Sequence, residues 1–475
     1  MASPADSQGM VEENSIGFVP LAARHGRVRD LFTLWFTTNI APLPVVTGAM
    51  AIEVYHLPLV WGIGAIVLGN VIGALVLGAC SAQGPQMGLA QMIQSRGQFG
   101  RYGALLVVVF ATLIYLGFFT SNIVLAAKSI HALQPGIALP FGAIGAALAA
   151  AGIGILGYNV IHLLNRIGIW FMGSGLLLAA AKLVMAMPAG VWTAGRFTML
   201  GWLSMFSLSA VWQISYACYT SDYSRYLPPT IGIRAPLLAS FAGAALGAAA
   251  SFSLGAIAVA GMPINADPMA AIGTAIGALG PVLMILFVLN IVSHNALNMY
   301  GAVLSLITMT QTFAVAWMPR RRARIVLSSV VLAGCLTVAT VSADVFVPRF
   351  ITFVIGLMVV LVPWATINLL DFYLIRKGHY DIASFFEADG GIYGRLSLPA
   401  TLAYSAGILI QIPFLASTLY TGPIAHRLGG VDIGWLVAPL VTGTIYLALS
   451  ATRKGKGAGA PPYPVDSRRH VSSAP

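Results

Sequence analysis

The chain reads as an all-α protein that crosses a membrane many times. Three observations carry this. Of 475 residues, 58% are hydrophobic and only 8% are charged, against about 25% charged in ordinary soluble domains. Apolar runs long enough to span a bilayer, which takes roughly 20 residues, occur twelve times. Lys and Arg are also sorted between alternate loops, as in polytopic membrane proteins.

The expected spans are 30–54, 58–80, 101–131, 138–158, 163–187, 199–219, 236–261, 279–312, 325–343, 346–375, 398–420 and 431–451. With the N-terminus placed in the cytoplasm, all but five of the 25 Lys and Arg residues fall in inner segments. The exceptions are Lys128, Lys182, Arg196, Arg349 and Arg427. The even number of spans then puts both termini in the cytoplasm of a multi-pass plasma-membrane protein. Residues 1–29 are expected as a cytosolic tail, 30–451 as the transmembrane domain, and 452–475 as a disordered cytosolic tail rich in Gly, Pro, Ser and Arg. The net charge of +11 fits basic loops facing anionic lipid, with no nucleic-acid partner. Cys80, Cys218 and Cys335 lie far apart and suggest neither a metal site nor a disulfide framework. The inner loops 81–100 and 376–397 are each expected to form a short interfacial helix.

Two spans bear on function directly. The first contains "LFTLWFTTNIAPLPVVTGAM", in which Pro42 and Pro44 follow Asn39. Each proline removes a donor and frees a carbonyl, and in lipid a freed group needs a partner inside the protein. Transporters use such interruptions to present backbone groups to substrate and ion at the midplane. The sixth span, with Ser204, Ser207, Ser209, Gln213 and Ser215, is polar but has no interior proline or glycine after Gly201.

Beyond these patterns, the chain resembles the purine–cytosine permease family, also called nucleobase:cation symporter family 1. The resemblance is carried by "LWFTTNIAPLPVVTGAM", "GPQMGLAQMIQSRGQFGRYGA", "SDYSRYLP" at 221–228, "NMYGAVLSL" at 298–306 and "PWATINLLDFYLIRKG" at 363–378. It implies twelve helices, the first ten forming two inverted five-helix repeats of the LeuT-like kind, with two more at the C-terminus. It implies a substrate site among the first, third, sixth, eighth and tenth spans, and cation-coupled import by alternating access. The implied substrate is a nucleobase or related ring such as cytosine, a purine, hydantoin or allantoin. The protein is expected to act as a monomer, without an organic cofactor.

A flat, neutral ring rimmed with donors and acceptors needs aromatic faces to stack on and amides to read its edge. In the third span Phe118 and Asn122 are four apart and share a helix face. The family's aromatic and amide positions match these two, with Tyr115 as an alternative to Phe118 and with Phe119 beside them. In the sixth span the resemblance points to Trp212, Gln213 and Ser215, with Gln213 at the family's aromatic position. Asn39 and Asn298 complete the substrate candidates. Asp222 with Arg225, and Asp371 with Arg376, read as structural pairs at helix ends.

The resemblance also implies a sodium position made by first-span carbonyls and two eighth-span hydroxyls. These register on Ser293 and His294, so one hydroxyl is replaced by imidazole. The coupling ion is therefore H+ or Na+, with a possible sodium near Ser293. Of the eight histidines, His294 alone falls near a bilayer centre, and it is the candidate proton carrier. Asn290 and Asn295 are expected to pack against neighbouring helices. A transporter of the same layout for a vitamin, amino acid or amine is the competing reading. An enzyme is not expected: Ser293 and His294, as helix neighbours, point about 100° apart and do not form a nucleophile–base pair.

Overall fold

The computed structural model describes residues 16–451 apart from 157, 264–266, 315–316, 318–320, 343–348, 350–351, 355 and 418–419; of 154–169 and 321 no side chain is described. The expected tail 452–475, the first fifteen residues, and much of the start of the tenth span lie outside the described residues.

The described residues are helical throughout, with one isolated bridge between Ala416 and Thr421. In chain order the helices are α1 (Val28–Asn39), α2 (Pro42–Glu53), α3 (Leu59–Ser81), α4 (Gln83–Met87), α5 (Gln91–Phe99), α6 (Ala104–Leu133), α7 (Leu139–Leu156), α8 (Tyr158–Ala186), α9 (Met199–Ala217) and α10 (Ser221–Ser224). They continue as α11 (Arg234–Val259), α12 (Pro268–Ile276), α13 (Gly280–Phe313), α14 (Arg321–Val341), α15 (Met358–Leu370), α16 (Leu398–Leu409), α17 (Pro423–Arg427) and α18 (Gly434–Ala451). Among the described residues, seven helical stretches are long and apolar enough to cross a membrane. Shorter apolar helices, including α2, α7 and α16, carry other expected spans. Leu68, Leu75, Trp170, Leu246 and Leu440 face outward, as a lipid-contacting surface requires.

The first span is two helices. Ile40 and Ala41 leave helical geometry (φ −93°, ψ 80° and φ −146°, ψ 161°). Pro42 and Pro44 then sit in the first turn of α2, where their missing N–H groups have no intrahelical partner to lose. The sixth span is interrupted as well, between Ala217 and Ser221. No local sequence signal announces that break. Long-range contacts hold it: Gln91 Oε1 accepts from Thr220 Oγ1 (3.3 Å) and from the Ser221 N–H (3.2 Å). Ser221 Oγ donates to the Cys80 carbonyl at 3.0 Å.

Several expectations are corrected. The loop 81–100 forms two helices, but Gln91–Phe99 is buried along its whole length rather than lying at an interface. Its polarity is absorbed by the protein. Arg96 donates to the Phe385 carbonyl (3.0 Å) and to Thr312 Oγ1 (2.9 Å), and Trp364 Nε1 donates to Ser95 Oγ (3.1 Å). The loop 376–397 has short 3₁₀ turns in place of a helix. The eleventh span ends at Leu409, where the chain turns through Ile412–Phe414 instead of continuing to 420. Part of the expected N-terminal tail is packed: the Val19 N–H donates to the Gly88 carbonyl (2.9 Å) and the Gly26 N–H to the Tyr226 carbonyl (2.9 Å).

Small residues let α11 lie directly on the broken first span. A Cβ on Gly48 would strike the Phe252 backbone, and one on Gly255 the Val45 backbone. Without a hydrophobic driving force between helices in lipid, such close backbone packing is a main source of association. Gly255→Leu should therefore destabilise the protein by about 1–3 kcal/mol or more, read as a lower Tm of the purified protein. Gly64→Leu is the comparison, because its added Cβ meets nothing within 4 Å. Equal Tm values for the two variants would contradict this packing.

Candidate functional site

The break in the first span organises the site. In an unbroken helix the Ile40 carbonyl would accept from the N–H four residues on, but residue 44 is a proline and has none. Asn290 of α13 fills the gap: its side-chain amide donates to the Ile40 carbonyl and, at 3.1 Å, to the Thr37 carbonyl. Asn39 is engaged on the other side. Its Nδ2 donates to the Trp35 carbonyl (2.8 Å), and its Oδ1 accepts from Trp212 Nε1 (3.1 Å) and Gln213 Nε2 (3.2 Å). Gln213 Nε2 also reaches Asn70 Oδ1 (3.1 Å) and the Ala244 carbonyl (3.2 Å). Asn39 and Gln213 thus tie α1, α3, α9 and α11 together.

An aromatic cluster lies beside this frame. Phe118 stacks on Tyr216 (centroids 5.2 Å, interplanar 27°) and meets Trp212 edge-on (5.4 Å, 79°). Trp212 and Tyr216 meet edge-on at 5.9 Å, the offset and T-shaped geometries that ring quadrupoles favour. Tyr115 goes elsewhere: its hydroxyl donates to Asp222 Oδ2 (3.1 Å), and its ring lies 4.4 Å from that of Tyr219. The two candidates of the third span therefore separate, with Phe118 in the Trp212 cluster. Phe119 contributes its carbonyl, which accepts from Asn295 Nδ2 at 3.0 Å.

Asn295 joins the amides. Its Oδ1 accepts from Asn122 Nδ2 (3.3 Å) and from Asn298 Nδ2 (3.1 Å). Asn298 Oδ1 is buried with no hydrogen-bond partner, as are Ser293 Oγ, His294 Nδ1 and Thr38 Oγ1. His294 presents its ring edge-on to Tyr216 at 6.2 Å. The Ser215 hydroxyl is turned back to the Trp212 carbonyl at 2.7 Å. Phe118, Asn122, Trp212, Asn298 and His294 are thereby brought to one buried region, and Asn39, Gln213 and Ser215 stand in its frame.

Three residues at this site escape the sequence patterns above although two of them carry a signal there. Asn295 precedes Asn298 by three and shares its helix face. Tyr216 follows Trp212 by four, so the two rings lie one above the other. Asn290 is not a packing residue but the donor at the break. At the other break Asp222 Oδ1 accepts the Gln91 N–H at 2.8 Å, at the start of α5. Arg225 donates to Tyr300 Oη at 3.0 Å. Asp371 pairs with Arg376 at 3.1 Å and accepts from Tyr380 (2.6 Å) and Tyr446 (2.8 Å). Among the described residues no group of three His, Cys, Asp or Glu side chains stands together as a metal site would require.

Comparisons with known proteins show the family and the fold. A family model described as "Permease for cytosine/purines, uracil, thiamine, allantoin" matches residues 18–438. The putative purine–cytosine permease YxlA of Bacillus subtilis is 33% identical over 452 residues, covering 94% of this chain and 98% of that protein. The purine–cytosine permease fcyB of Emericella nidulans is 22% identical, covering 92% and 88%. Among solved structures, Mhp1, a nucleobase-cation-symport-1 family transporter in a closed conformation with bromovinylhydantoin bound, superposes with a TM-score of 0.74 at 16% identity, covering 94% of this chain and 96% of that one. A Na+-coupled sialic acid symporter superposes with a TM-score of 0.62 at 11% identity, covering 95% and 93%. These likenesses show that the chain shares the all-helical fold of these membrane transporters.

The frame around Asn39 can be checked by itself. Gln213→Ala would leave Asn39, Asn70 and the Ala244 carbonyl short of a donor, a loss of about 1–3 kcal/mol for an unsatisfied buried group. The purified variant should melt below the wild type, and an unchanged Tm would show that Gln213 is not a strut.

Proposed function

This chain belongs to the family of permeases for cytosine/purines, uracil, thiamine and allantoin, and we propose that it imports a nucleobase or closely related ring, such as cytosine, a purine, hydantoin or allantoin, by cation-coupled alternating access. One observation carries the reading: the Phe118–Trp212–Tyr216 cluster adjoins the chain of amides Asn122, Asn295 and Asn298, beside the broken first span. Phe118 and Trp212 offer their faces to the ring once their edge-on contact with each other opens. Asn298, whose Oδ1 is unpartnered, accepts from a ring N–H, and Asn122 donates to a ring carbonyl. The Nδ2 groups of Asn122 and Asn298 have Asn295 Oδ1 to donate to in this state, and substrate supplies the partner that Asn298 Oδ1 lacks, which matters because an unpaired buried amide group is unfavourable by about 1–3 kcal/mol.

In this reading the protein is a multi-pass protein of the plasma membrane, with both termini cytoplasmic, and works as a monomer. Asn39, Gln213 and Ser215 position the aromatic groups without touching the ring. The coupled ion, H+ or Na+, acts near Ser293 and His294 of α13, whose Oγ and Nδ1 face no internal partner. Movement of ring and ion together follows if each favours the same state of the transporter, since a ligand shifts a conformational equilibrium only through its differential affinity.

The test is uptake of several radiolabelled bases by permease-deficient cells expressing the chain, across a pH series, with and without sodium. Uptake of at least one base is expected, and uptake that stays flat for every base and is indifferent to an ionophore would overturn the reading. Asn122→Ala and Asn298→Ala should each weaken substrate binding by about 10-fold or more, as loss of a buried hydrogen bond to a polar ring does, with membrane insertion intact. Unchanged affinity in both variants removes them from the site. His294→Thr removes the one histidine near the bilayer centre and should flatten the pH dependence of uptake, and an unchanged pH profile would exclude His294 as the proton carrier. Uptake that needs sodium and ignores pH in the wild type excludes the proton.

A further inference from the structure

Resting on the transport reading above, we infer that the side-chain amide of Asn290 occupies the place of a cation at the broken first span, so that the wild-type protein binds no sodium between α1 and α13. Unwound carbonyls at such a break are the groups with which transporters of this architecture hold sodium. Here those carbonyls are already taken by a donor. The Thr37 carbonyl accepts from the Ile40 N–H (3.1 Å) and from Asn290 Nδ2 (3.1 Å), which engages both of its lone pairs. The Ile40 carbonyl, freed because Pro44 has no N–H, accepts from the same Nδ2.

The arrangement is chemically self-consistent. An amide NH2 carries two donors and presents the positive end of its dipole to two carbonyl oxygens, as a small cation would, without adding net charge to an apolar layer. Asn290 is buried and its partners are on a different span, 250 and 253 residues away in sequence. A sodium ion at this point would have to displace both hydrogen bonds and leave the Asn290 NH2 unpaired, which is unfavourable in a dry interior. Two buried hydroxyls on the same elements, Thr38 Oγ1 and Ser293 Oγ, have no hydrogen-bond partner. The oxygens for a cation are therefore present in the sequence, and the identity of residue 290 decides whether they are used.

Asn290→Asp tests this directly, because it is isosteric and replaces the two donors with an oxygen. The purified full-length protein is melted in increasing sodium chloride and in matched choline chloride. The wild type should give the same Tm in both salts, while the Asn290→Asp variant should gain a Tm that rises with sodium and not with choline. A sodium-specific rise in the wild type, or a variant indifferent to sodium, overturns the inference. Should Asn290→Asp fail to fold, Asn290→Ser takes its place with the same expected gain, and the wild-type titration still decides. A second arm compares wild-type uptake of labelled cytosine and adenine in sodium and choline buffers, where equal rates are expected and uptake abolished in choline overturns the inference. Absence of uptake of every base in either buffer counts against the substrate reading alone, since the melting arm does not depend on transport.

Discussion

A helix interrupted inside an apolar layer leaves backbone groups that lipid cannot hydrogen-bond, and each must be satisfied within the protein. In this chain that constraint falls on Ile40 and Ala41, between α1 and α2. Much of the bundle is arranged around meeting it. Asn290 reaches across from α13 to the carbonyls. Asn39 fastens the end of α1 to Trp212 and Gln213 of α9. Glycines of α11 bring its backbone against both halves of the span. An interruption without these partners would be too unfavourable to persist, so the polar groups near it belong to one cooperative arrangement.

The polar face of α13 divides its work along the helix. Asn290 serves the break, Ser293 and His294 leave polar atoms unpaired, and Asn295 and Asn298 face the amide of Asn122. Successive turns of one helix thus connect the first span to the third. A rigid element that touches both places can couple them, because any shift of α13 that changes the contacts at one end changes those at the other.

The bundle's overall architecture was legible because hydrophobicity over roughly 20 residues is a local property. Pro42 and Pro44 announced the first break for the same reason: their effect on the backbone is intrinsic. The second break was not legible, since Cys218, Tyr219 and Thr220 have no breaking tendency and the interruption is held by Gln91 and Cys80, far away in sequence. The 81–100 loop looked interfacial because its Gln and Arg residues are polar, yet their partners at Thr312, Phe385 and Trp364 bury it. Phe118 and Asn122 stand out in the sequence by type and spacing and Asn298 by its place in the eighth-span motif, while their approach to one another is a property of the packed helices. Asn295 was passed over because its importance comes from standing between two residues on different helices, which one helix's pattern does not display.

The aromatic–amide cluster takes the substrate, and the broken span beside it holds the cluster in place. The most direct measurement is a cryo-EM map of the protein with a transported base, recorded in sodium-free buffer. The ring's face should lie against Phe118 and Trp212 and its polar edge toward Asn122 and Asn298, with Asn290 still donating to the Thr37 and Ile40 carbonyls. A base bound away from these side chains, with the Asn122–Asn295–Asn298 contacts undisturbed, would contradict it.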